Sequence, residues 1–486
     1  MQENKAEHTQ LSRRLTSAQV SMIGLSGALG TGLFLGSGSV INFAGPATVF
    51  AYAIAGLLAL SIVWALAEMV VIHPVAGGHG AVAASYLGSG GGFVTRWNFA
   101  ITMLVAVGAE VTATATYIQF WFPQIPLAVG TVFCSLIIVG LNLFSVHLYG
   151  SAEYWFSMIK VVAIISFILL GIALIVGMVP GVDAIGTGNL TDHGGFAPKG
   201  LVGILAASCM AVFSFGGIEN VSVGAAESEH PERDVPKAAH AMIWRLLIFY
   251  VLAILVVLAL QPWTETAASG GTVTESPFVR ALDLSGVPGA AHIMNLVLIV
   301  AALSAANGCL YSSTRMIHSL AQDGQAPAFA ARTTLRGNPR GAVFIATIGM
   351  VVAAVLSIVS PGQAFMWLYG AATVGILVTW VMTMTTHLAF RRKRSAAGLP
   401  KPERRLWGAP VVNILVIVAS LGIFIGLYWL MPIVWYAGIP YVILLVASYF
   451  VLAKVRGVKP HEDLLAAELE RRKAAEQSAA ANPTQS

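Results

Sequence analysis

Charged side chains are scarce in this sequence, at 10% of its 486 residues, while hydrophobic residues make up 57%. Soluble globular domains average about 25% charged residues. The scarcity therefore excludes an ordinary soluble domain and indicates a protein with many membrane spans. The net charge of +5 is no sign of nucleic-acid binding, because the basic residues follow the membrane topology described below.

Cysteine and catalytic motifs are equally scarce. The cysteines Cys134, Cys209 and Cys309 lie within apolar runs and lack the spacing of metal ligands or of a disulfide framework. We therefore expect buried thiols and no metal site. The chain also lacks a P-loop, an HExxH motif and a nucleophile elbow, which argues against a self-contained ATP-driven pump and against the common hydrolases. We predict a protein that is not an enzyme and needs no cofactor.

Long apolar runs recur along the whole chain, and twelve of them approach or exceed the roughly 20 residues that a membrane-spanning helix requires. Their predicted bounds are 18–38, 46–72, 94–121, 126–146, 153–179, 200–223, 238–261, 290–318, 341–360, 363–390, 411–430 and 432–454. The sequence thus predicts an all-α polytopic membrane protein without a soluble domain. We expect an N-terminal tail at 1–17, a ten-helix core at 18–390, two further helices at 411–454 and a C-terminal tail at 455–486. A short interfacial helix is expected within 73–93 and a surface helix within 461–477.

Lysine and arginine indicate how these spans are oriented. With twelve spans both termini lie on one side, and that side carries nearly all the basic residues, including the block at 391–394. Only Lys199 and Arg280 fall on the opposite side. Since short loops rich in Lys and Arg remain in the cytoplasm, we predict a multi-pass protein of the cytoplasmic (inner) membrane with both termini in the cytoplasm.

Glycine is concentrated in the first predicted span, where it accounts for six of the fifteen residues at 24–38. Glycine is a weak helix former, so this density favours a helix that is broken at membrane depth. Such breaks persist only where the backbone lines a cavity or is buried in protein. The alternative is close helix packing, because residues 32–36 also fit the GxxxG pattern.

The sixth predicted span repeats this feature, because its run 211–220 contains Gly216-Gly217 followed by Glu219 and Asn220. Interrupted segments in corresponding positions of two halves, here 18–179 and 200–390, point to the central site of a secondary transporter. Free N–H groups suit a carboxylate, and unwound carbonyls suit an ammonium group. The candidate substrate-binding residues are Ala28, Gly30, Thr31 and Gly32 in the first break, Phe213, Ser214 and Gly216 in the second, and Ser304 and Asn307 in span eight.

Ionisable residues inside the spans are costly, so each is a functional candidate. Lys160 in span five either snorkels to the interface or lies beside a cavity, where it can cycle a proton or replace a cation. Glu219 is a candidate for proton exchange, for capping free N–H groups at the break, or for both. Glu110 in span three either faces the cavity or bonds a neighbouring helix. Glu68, near one end of span two, is expected to be structural.

Several motifs occur in order along the chain. They are Ile23-Gly24 through Gly30-Thr31-Gly32-Leu33-Phe34-Leu35-Gly36-Ser37-Gly38, Ala67-Glu68-Met69 with Pro74-Val75-Ala76-Gly77, Tyr117-Ile118-Gln119-Phe120-Trp121-Phe122-Pro123, Trp155-Phe156 with Ile159-Lys160-Val161, Phe213-Ser214-Phe215-Gly216-Gly217-Ile218-Glu219, Ala226-Glu227-Ser228-Glu229-His230-Pro231, and Arg315-Met316 with Gly324-Gln325-Ala326-Pro327. Together they resemble bacterial amino acid permeases of the amino acid–polyamine–cation superfamily, in its amino acid transporter branch, over about residues 10–457. The run at 79–83 departs from the Phe-Ser-Arg-Tyr-like run that most members carry.

The resemblance implies a leucine-transporter-like fold with 5+5 inverted repeats and two further helices, and proton-coupled amino acid uptake. It implies that the substrate carboxylate meets Thr31 and Gly32. It also implies that the amino group meets the carbonyls of Phe213 and Gly216, with the Phe213 ring covering the substrate. By the same resemblance Lys160 replaces a sodium ion. Glu219 matches a proposed proton-sensing glutamate.

We therefore predict a proton-coupled symporter that imports a neutral or zwitterionic amino acid, such as γ-aminobutyrate, by alternating access. Glu110, Lys160 and Glu219 are the candidates for proton coupling. The expected partners are the amino acid, the proton and the lipid bilayer, without nucleic acid, and the oligomeric state stays open. Two alternatives are an exchanger of amino acids or amines with the same fold, and a sensor that does not transport. Lys160 and the two breaks favour transport, because a sensor needs no coupling ion.

Overall fold

The structure is a computed structural model of the chain. It describes residues 16, 22, 27–143, 146–225, 228, 230–267, 276–334, 338–402, 404–457 and 461–481. The predicted N-terminal tail, most of the first half of span one and the motif residues 226, 227 and 229 lie outside the described residues.

The described residues are mostly helical, with short 3-10 turns between some of the helices. The α-helices are α1 Thr31–Phe34, α2 Ser37–Ala44, α3 Thr48–Ile72, α4 Gly78–Gln119, α5 Leu127–Asn142, α6 Val146–Val176, α7 Gly200–Ala211, α8 Asn220–Gly224, α9 Pro231–Leu260, α10 Trp263–Ala267, α11 Pro277–Leu284, α12 Ala290–Gln322, α13 Arg340–Val359, α14 Ala364–Ala396, α15 Val411–Leu430, α16 Pro432–Arg456 and α17 Leu464–Ala481. The 3-10 helices are Gly45–Ala47, Gly188–Leu190, Val212–Phe215 and Ala328–Ala331.

Each of the eleven predicted spans from 46–72 onward coincides with a helical segment, and the bounds of the span at 411–430 agree with those of α15. Within the described part of the chain, ten helical segments are long and apolar enough to cross a membrane. The predicted number of twelve is not confirmed. The first span is only partly described, and α5 is shorter than the ten, at 16 residues.

Helix α4 is the centre of the bundle, and α16 lies at its edge. In the most apolar stretch of α4, 83% of residues are buried, against 11% in that of α16. Helix α4 packs against α12, α14, α13 and α5, while α6 packs against α9 and α12. This arrangement places the middle of α4 beside both broken segments.

Helix α4 begins well before the predicted third span, because the helix expected within 73–93 is joined to it. The two parts meet at a kink at Gly88, whose φ of 85° is left-handed. Residues 78–84 of the first part are buried in the protein. His79 in it is buried and its Nδ1 lies 2.8 Å from the Ser222 hydroxyl, so this segment packs into the bundle beside α8.

Helix α17 contacts one end of the bundle, which we call the tail side; the opposite end is the far side. Arg394 pairs there with Glu468 of α17. Asp323 pairs with the Arg96 guanidinium at 2.6 Å and with Nδ1 of His461 at 2.9 Å. Burial disfavours the charged form of Asp323, but the bonds from His461 and Arg96 outweigh it and hold its pKa below the usual range.

Glu68 also lies on the tail side. It accepts bonds of 2.8 and 2.7 Å from the guanidinium of Arg391 and one of 2.8 Å from the backbone N–H of Leu406. Glu68 therefore joins α3 to α14 and to the loop that follows it, in agreement with a structural role.

Candidate functional site

The first break lies at residues 29 and 30, between helical residues 27–28 and α1. Gly30 has an extended backbone with φ −118° and ψ −161°. After the four residues of α1 a turn at 35–36 leads into α2. The predicted interruption at membrane depth is therefore present.

The second break lies between α7 and α8. The chain passes through the 3-10 turn Val212–Phe215, becomes extended at Gly216 and left-handed at Gly217, where φ is 94°. Helix α8 then begins at Asn220. Both predicted breaks thus occur where glycine reduces the cost of leaving the helix.

The two breaks are in direct contact. A Cβ on Gly217 would lie 2.4 Å from the carbonyl oxygen of Gly27, and one on Gly32 would lie 2.7 Å from the Cα of Ser214. Tyr250 of α9 bridges the pair, because its hydroxyl lies 2.5 Å from the Ala28 carbonyl oxygen and 2.7 Å from that of Ser214. The glycines therefore allow one backbone to approach the other.

Glu110 of α4 reaches the first break. Its two carboxyl oxygens lie 3.1 and 3.2 Å from the backbone nitrogen of Thr31, whose N–H they accept. A Cβ on Gly30 would lie 2.4 Å from the nearer oxygen, so glycine leaves the room that the carboxyl group occupies. This contact fits both sequence interpretations of Glu110, because Thr31 lies at the break and is also the first residue of the neighbouring helix α1.

Lys160 of α6 reaches the other side of the same break. It is fully buried, and its Nζ donates to the carbonyl oxygen of Leu29 at 3.2 Å. The ammonium therefore does not snorkel to an interface. It takes a position beside an unwound carbonyl, where a cation would also bind.

Glu219 belongs to the second break. One of its oxygens accepts the N–H of Gly217 at 3.0 Å, and the other accepts the indole N–H of Trp380 at 2.7 Å. The capping role foreseen for Glu219 is thus observed.

Aromatic side chains lie beside the second break. The Phe213 and Tyr369 rings lie with their centroids 4.2 Å apart and an interplanar angle of 36°. Tyr52 places its hydroxyl 3.3 Å from that of Ser214. The carbonyl of Phe213 accepts the Gly216 N–H at 2.9 Å, which tightens this turn.

Ser304 and Asn307 of α12 are directed at Glu153 of α6. The Ser304 hydroxyl bonds one carboxyl oxygen of Glu153, and the Asn307 amide donates to the other at 2.9 Å. Their neighbour Ala305 is the α12 residue that faces the first break, 3.0 Å from a Cβ placed on Gly30.

Sequence reasoning missed Glu153, Tyr250, Tyr369 and Trp380. Glu153 carried one signal, because it lies seven residues before Lys160 and therefore on the same helix face. The three aromatic residues carried none, since their roles depend on which helix lies opposite.

Near the breaks, buried carboxyl groups outnumber buried lysines. Glu110, Glu153, Glu219 and Lys160 are all buried, and the buried Cys309 thiol lies within electrostatic range of all four. Three carboxyl groups thus accompany one lysine. Burying an ionised carboxylate costs several kcal/mol, and hydrogen bonds to Glu110, Glu153 and Glu219 offset part of this cost.

The described residues contain no group of three His, Cys, Asp or Glu side chains that could hold a metal ion. Cys134, Cys209 and Cys309 are buried, as predicted.

Comparisons with known proteins agree with this architecture. Residues 19–459 match the family model of amino acid permeases. The aromatic amino acid transport protein AroP of Escherichia coli strain K12 is 38% identical over 399 residues, covering 82% of this chain and 86% of the relative. The gamma-aminobutyric acid permease of Bacillus subtilis is 36% identical over 417 residues, covering 86% and 88%.

Among solved structures, a manganese transporter of Eremococcus coleocola, in complex with an aromatic bis-isothiourea substituted compound, is similar with a TM-score of 0.54 and 14% identity. The match covers 91% of this chain and 96% of that one. At this identity the likeness concerns the fold alone, and it confirms the predicted leucine-transporter-like fold.

Proposed function

This chain belongs to the amino acid permease family, and we propose that it imports a neutral or zwitterionic amino acid together with a proton. In this proposal transport proceeds by alternating access across the plasma membrane, through the core at 18–390. The helices at 411–454 lie outside the core, and the tail side faces the cytoplasm with both termini.

The contact between Glu110 and the Thr31 N–H carries this proposal. A substrate carboxylate that binds this N–H would lie within hydrogen-bond distance of the Glu110 oxygens. Two ionised carboxylates so close together repel, so one of them must leave or take up a proton. A protonated Glu110 becomes a donor and can bond the substrate carboxylate. Proton uptake and substrate binding are therefore coupled at the Glu110 carboxyl group.

The rest of the proposed site suits the other parts of an amino acid. Ala28, Gly30 and Gly32 supply backbone around the carboxylate, and the carbonyls of Phe213, Ser214 and Gly216 are assigned to the amino group. The Phe213 and Tyr369 rings would contact the substrate side chain, which favours a neutral substrate. AroP carries aromatic amino acids and the Bacillus relative carries γ-aminobutyrate, and both substrate classes are consistent with this site. Ser304 and Asn307 are assigned an indirect part, through Glu153.

Lys160 is assigned the place of a coupling cation, beside the Leu29 carbonyl. Glu110 is its first partner in coupling. Glu219 contributes less to proton coupling, because Gly217 and Trp380 already donate to both of its oxygens. The excess of carboxyl groups around Cys309 supports this assignment, since it provides sites for protons inside the membrane.

Uptake by the purified protein in liposomes tests the proposal. The panel contains labelled phenylalanine, tyrosine, tryptophan, γ-aminobutyrate, lysine and aspartate, in sodium-free buffer with an imposed pH gradient. We expect one neutral class to accumulate and a protonophore to abolish the accumulation. Uptake that requires internal amino acid and ignores the pH gradient would contradict symport and favour exchange, while binding without uptake would indicate a sensor.

A further inference from the structure

Glu153 is a buried carboxylate to which the proposed function assigns no proton transfer. It lies on α6 together with Ser157 and Lys160, at spacings of four and three residues, so the three share one face. All three are fully buried. On the other faces Trp155, 66% exposed, and Val162, 55% exposed, point outward. Helix α6 therefore presents a polar stripe to the protein interior.

Two partners of Glu153 come from α12, and both act as donors. The Asn307 amide nitrogen lies 2.9 Å from one oxygen of Glu153, and the Ser304 hydroxyl bonds the other. The Asn307 amide oxygen accepts from Asn142 at 2.6 Å, which turns the Asn307 NH₂ group toward Glu153. These two bonds fix the position of the carboxylate, and the Ser304 hydroxyl can turn to accept a hydrogen bond from Glu153 when Glu153 carries a proton.

Helix geometry brings Lys160 toward Glu153. The two α-carbons are seven residues apart, which is about 10.5 Å along a helix. Side chains of a helix lean toward its N-terminus, so the long Lys160 side chain extends back in the direction of Glu153. Glu153 and Glu110 both attract the Lys160 ammonium.

The other titratable groups around the pair come from four elements. Cys309 lies on α12, Glu110 on α4 and Glu219 just before α8, all within the central cluster. Tyr250 of α9 holds the carbonyls of the two breaks with its hydroxyl.

A chain of amides connects this carboxylate to the tail side. Asn307 is bonded by Asn142 at the end of α5, and the Asn142 carbonyl accepts from Asn338 at 2.6 Å. Asn338 belongs to the connection between α12 and α13, which follows Asp323 on the tail side. Glu153 therefore lies between Lys160 and the tail-side surface.

We propose that Glu153 is the proton acceptor of Lys160 on the tail side. The Lys160 ammonium gives up one proton and becomes a neutral amine, and the Glu153 carboxylate takes that proton and becomes a carboxylic acid. The proton then passes to water on the tail side, which restores the carboxylate. This role rests on the proposed proton symport.

Two assays on Glu153→Gln in liposomes test the proposal. The first is accumulation driven by a pH gradient, and the second is exchange of labelled for unlabelled substrate at equal pH, which needs no release of the proton. Glutamine keeps one acceptor oxygen and adds an NH₂ donor at this position, but it cannot take up the proton. We expect at least a tenfold loss of accumulation, with exchange within about twofold of the wild type, since glutamine can accept from Asn307 and donate to Ser304 and so keeps both residues in place.

Glu265→Gln is the matched control, because Glu265 is exposed on the far side and pairs with Arg280 at 3.0 Å. It should leave both assays unchanged. Accumulation by Glu153→Gln at the level of the wild type would overturn the role, and so would parallel loss of exchange and accumulation, which indicates a structural part. A wild type that exchanges but never accumulates would overturn symport itself, and the role of Glu153 with it.

Discussion

At both breaks a carboxylate accepts a backbone N–H, but the carboxylate comes from a different place in each. Each exposes a backbone N–H to a carboxylate: Thr31 to Glu110, and Gly217 to Glu219. Glu110 comes from another helix, 79 residues away in sequence, whereas Glu219 is two residues from the N–H that it binds. Glu219 is further fixed by the indole of Trp380.

This difference indicates which donor is available to a ligand. Movement of one side chain on α4 releases the Thr31 N–H, while Gly217 and Glu219 move together as parts of one turn. The first break is therefore suited to exchange its carboxylate for that of a substrate. The second is suited to keep its shape.

The largest effect is expected from Gly217→Ala, which breaks the contact between the two segments. Gly217 has a φ of 94°, and a Cβ would lie 2.4 Å from the Gly27 carbonyl oxygen. Backbone strain and the clash together should lower the free energy of unfolding by about 2 to 6 kcal/mol. Thermal unfolding in detergent and uptake in liposomes measure this.

Gly224→Ala is the control for that variant, because no atom lies within 4 Å of a Cβ there. It should behave as the wild type. Equal behaviour of the two variants would show that the two breaks do not depend on close backbone contact.

Lys160→Ala should have the next largest effect, since it removes the ammonium from the Leu29 carbonyl at the first break. We expect accumulation under a pH gradient to fall about tenfold or more, equivalent to at least about 1.4 kcal/mol. Lys199→Ala removes an exposed far-side lysine and is the control. Unchanged accumulation in Lys160→Ala would refute the coupling role of this lysine.

Glu110→Gln tests whether Glu110 exchanges a proton at the first break. The glutamine amide can still accept the Thr31 N–H, but it cannot exchange a proton. We expect the initial rate of uptake to become nearly independent of pH, with accumulation lowered about tenfold. The rate is to be measured between pH 5.5 and 8 beside the Glu265→Gln control. A pH profile like that of the wild type would remove Glu110 from the mechanism.

Glu219→Gln should have the smallest effect of the four. Glutamine has one acceptor oxygen, so either the Gly217 N–H or the Trp380 indole N–H loses its acceptor, which costs about 1 to 3 kcal/mol of stability. Thermal unfolding should record this loss, while uptake keeps most of its pH dependence. If Glu219→Gln flattens the pH profile as strongly as Glu110→Gln, the two breaks are chemically equal and the comparison fails.

The helices were largely predictable because membrane spans are recorded in local composition. The bounds of α15 followed directly from an apolar run, and the paired glycine breaks followed from the weakness of glycine in helices. The first part of α4 was predicted as a helix but its burial was not, because the small residues at 78–84 are compatible with an exposed helix and with a buried one.

The site was only partly predictable, because its chemistry depends on partners that are distant in the sequence. Glu153 lies at the edge of an apolar run and reads as an interface residue. Its burial follows from Ser304, 151 residues later. Lys160 was recognised, but whether it snorkels depends on its depth and on the helix opposite. Tyr250 lies in a purely apolar context, and only the tertiary structure places its hydroxyl between two carbonyls.

The carboxyl groups in the centre of the bundle are the proposed carriers of the proton, and proton movement has an electrical consequence. A zwitterionic substrate carries no net charge, so each proton that travels with it moves one positive charge through the membrane. A voltage of about 100 mV, negative in the cytoplasm, contributes about 2.3 kcal/mol per charge. This energy alone corresponds to about fiftyfold accumulation. Under the proposed symport, transport is therefore electrogenic, and a potassium diffusion potential should drive it even when the pH is equal on both sides.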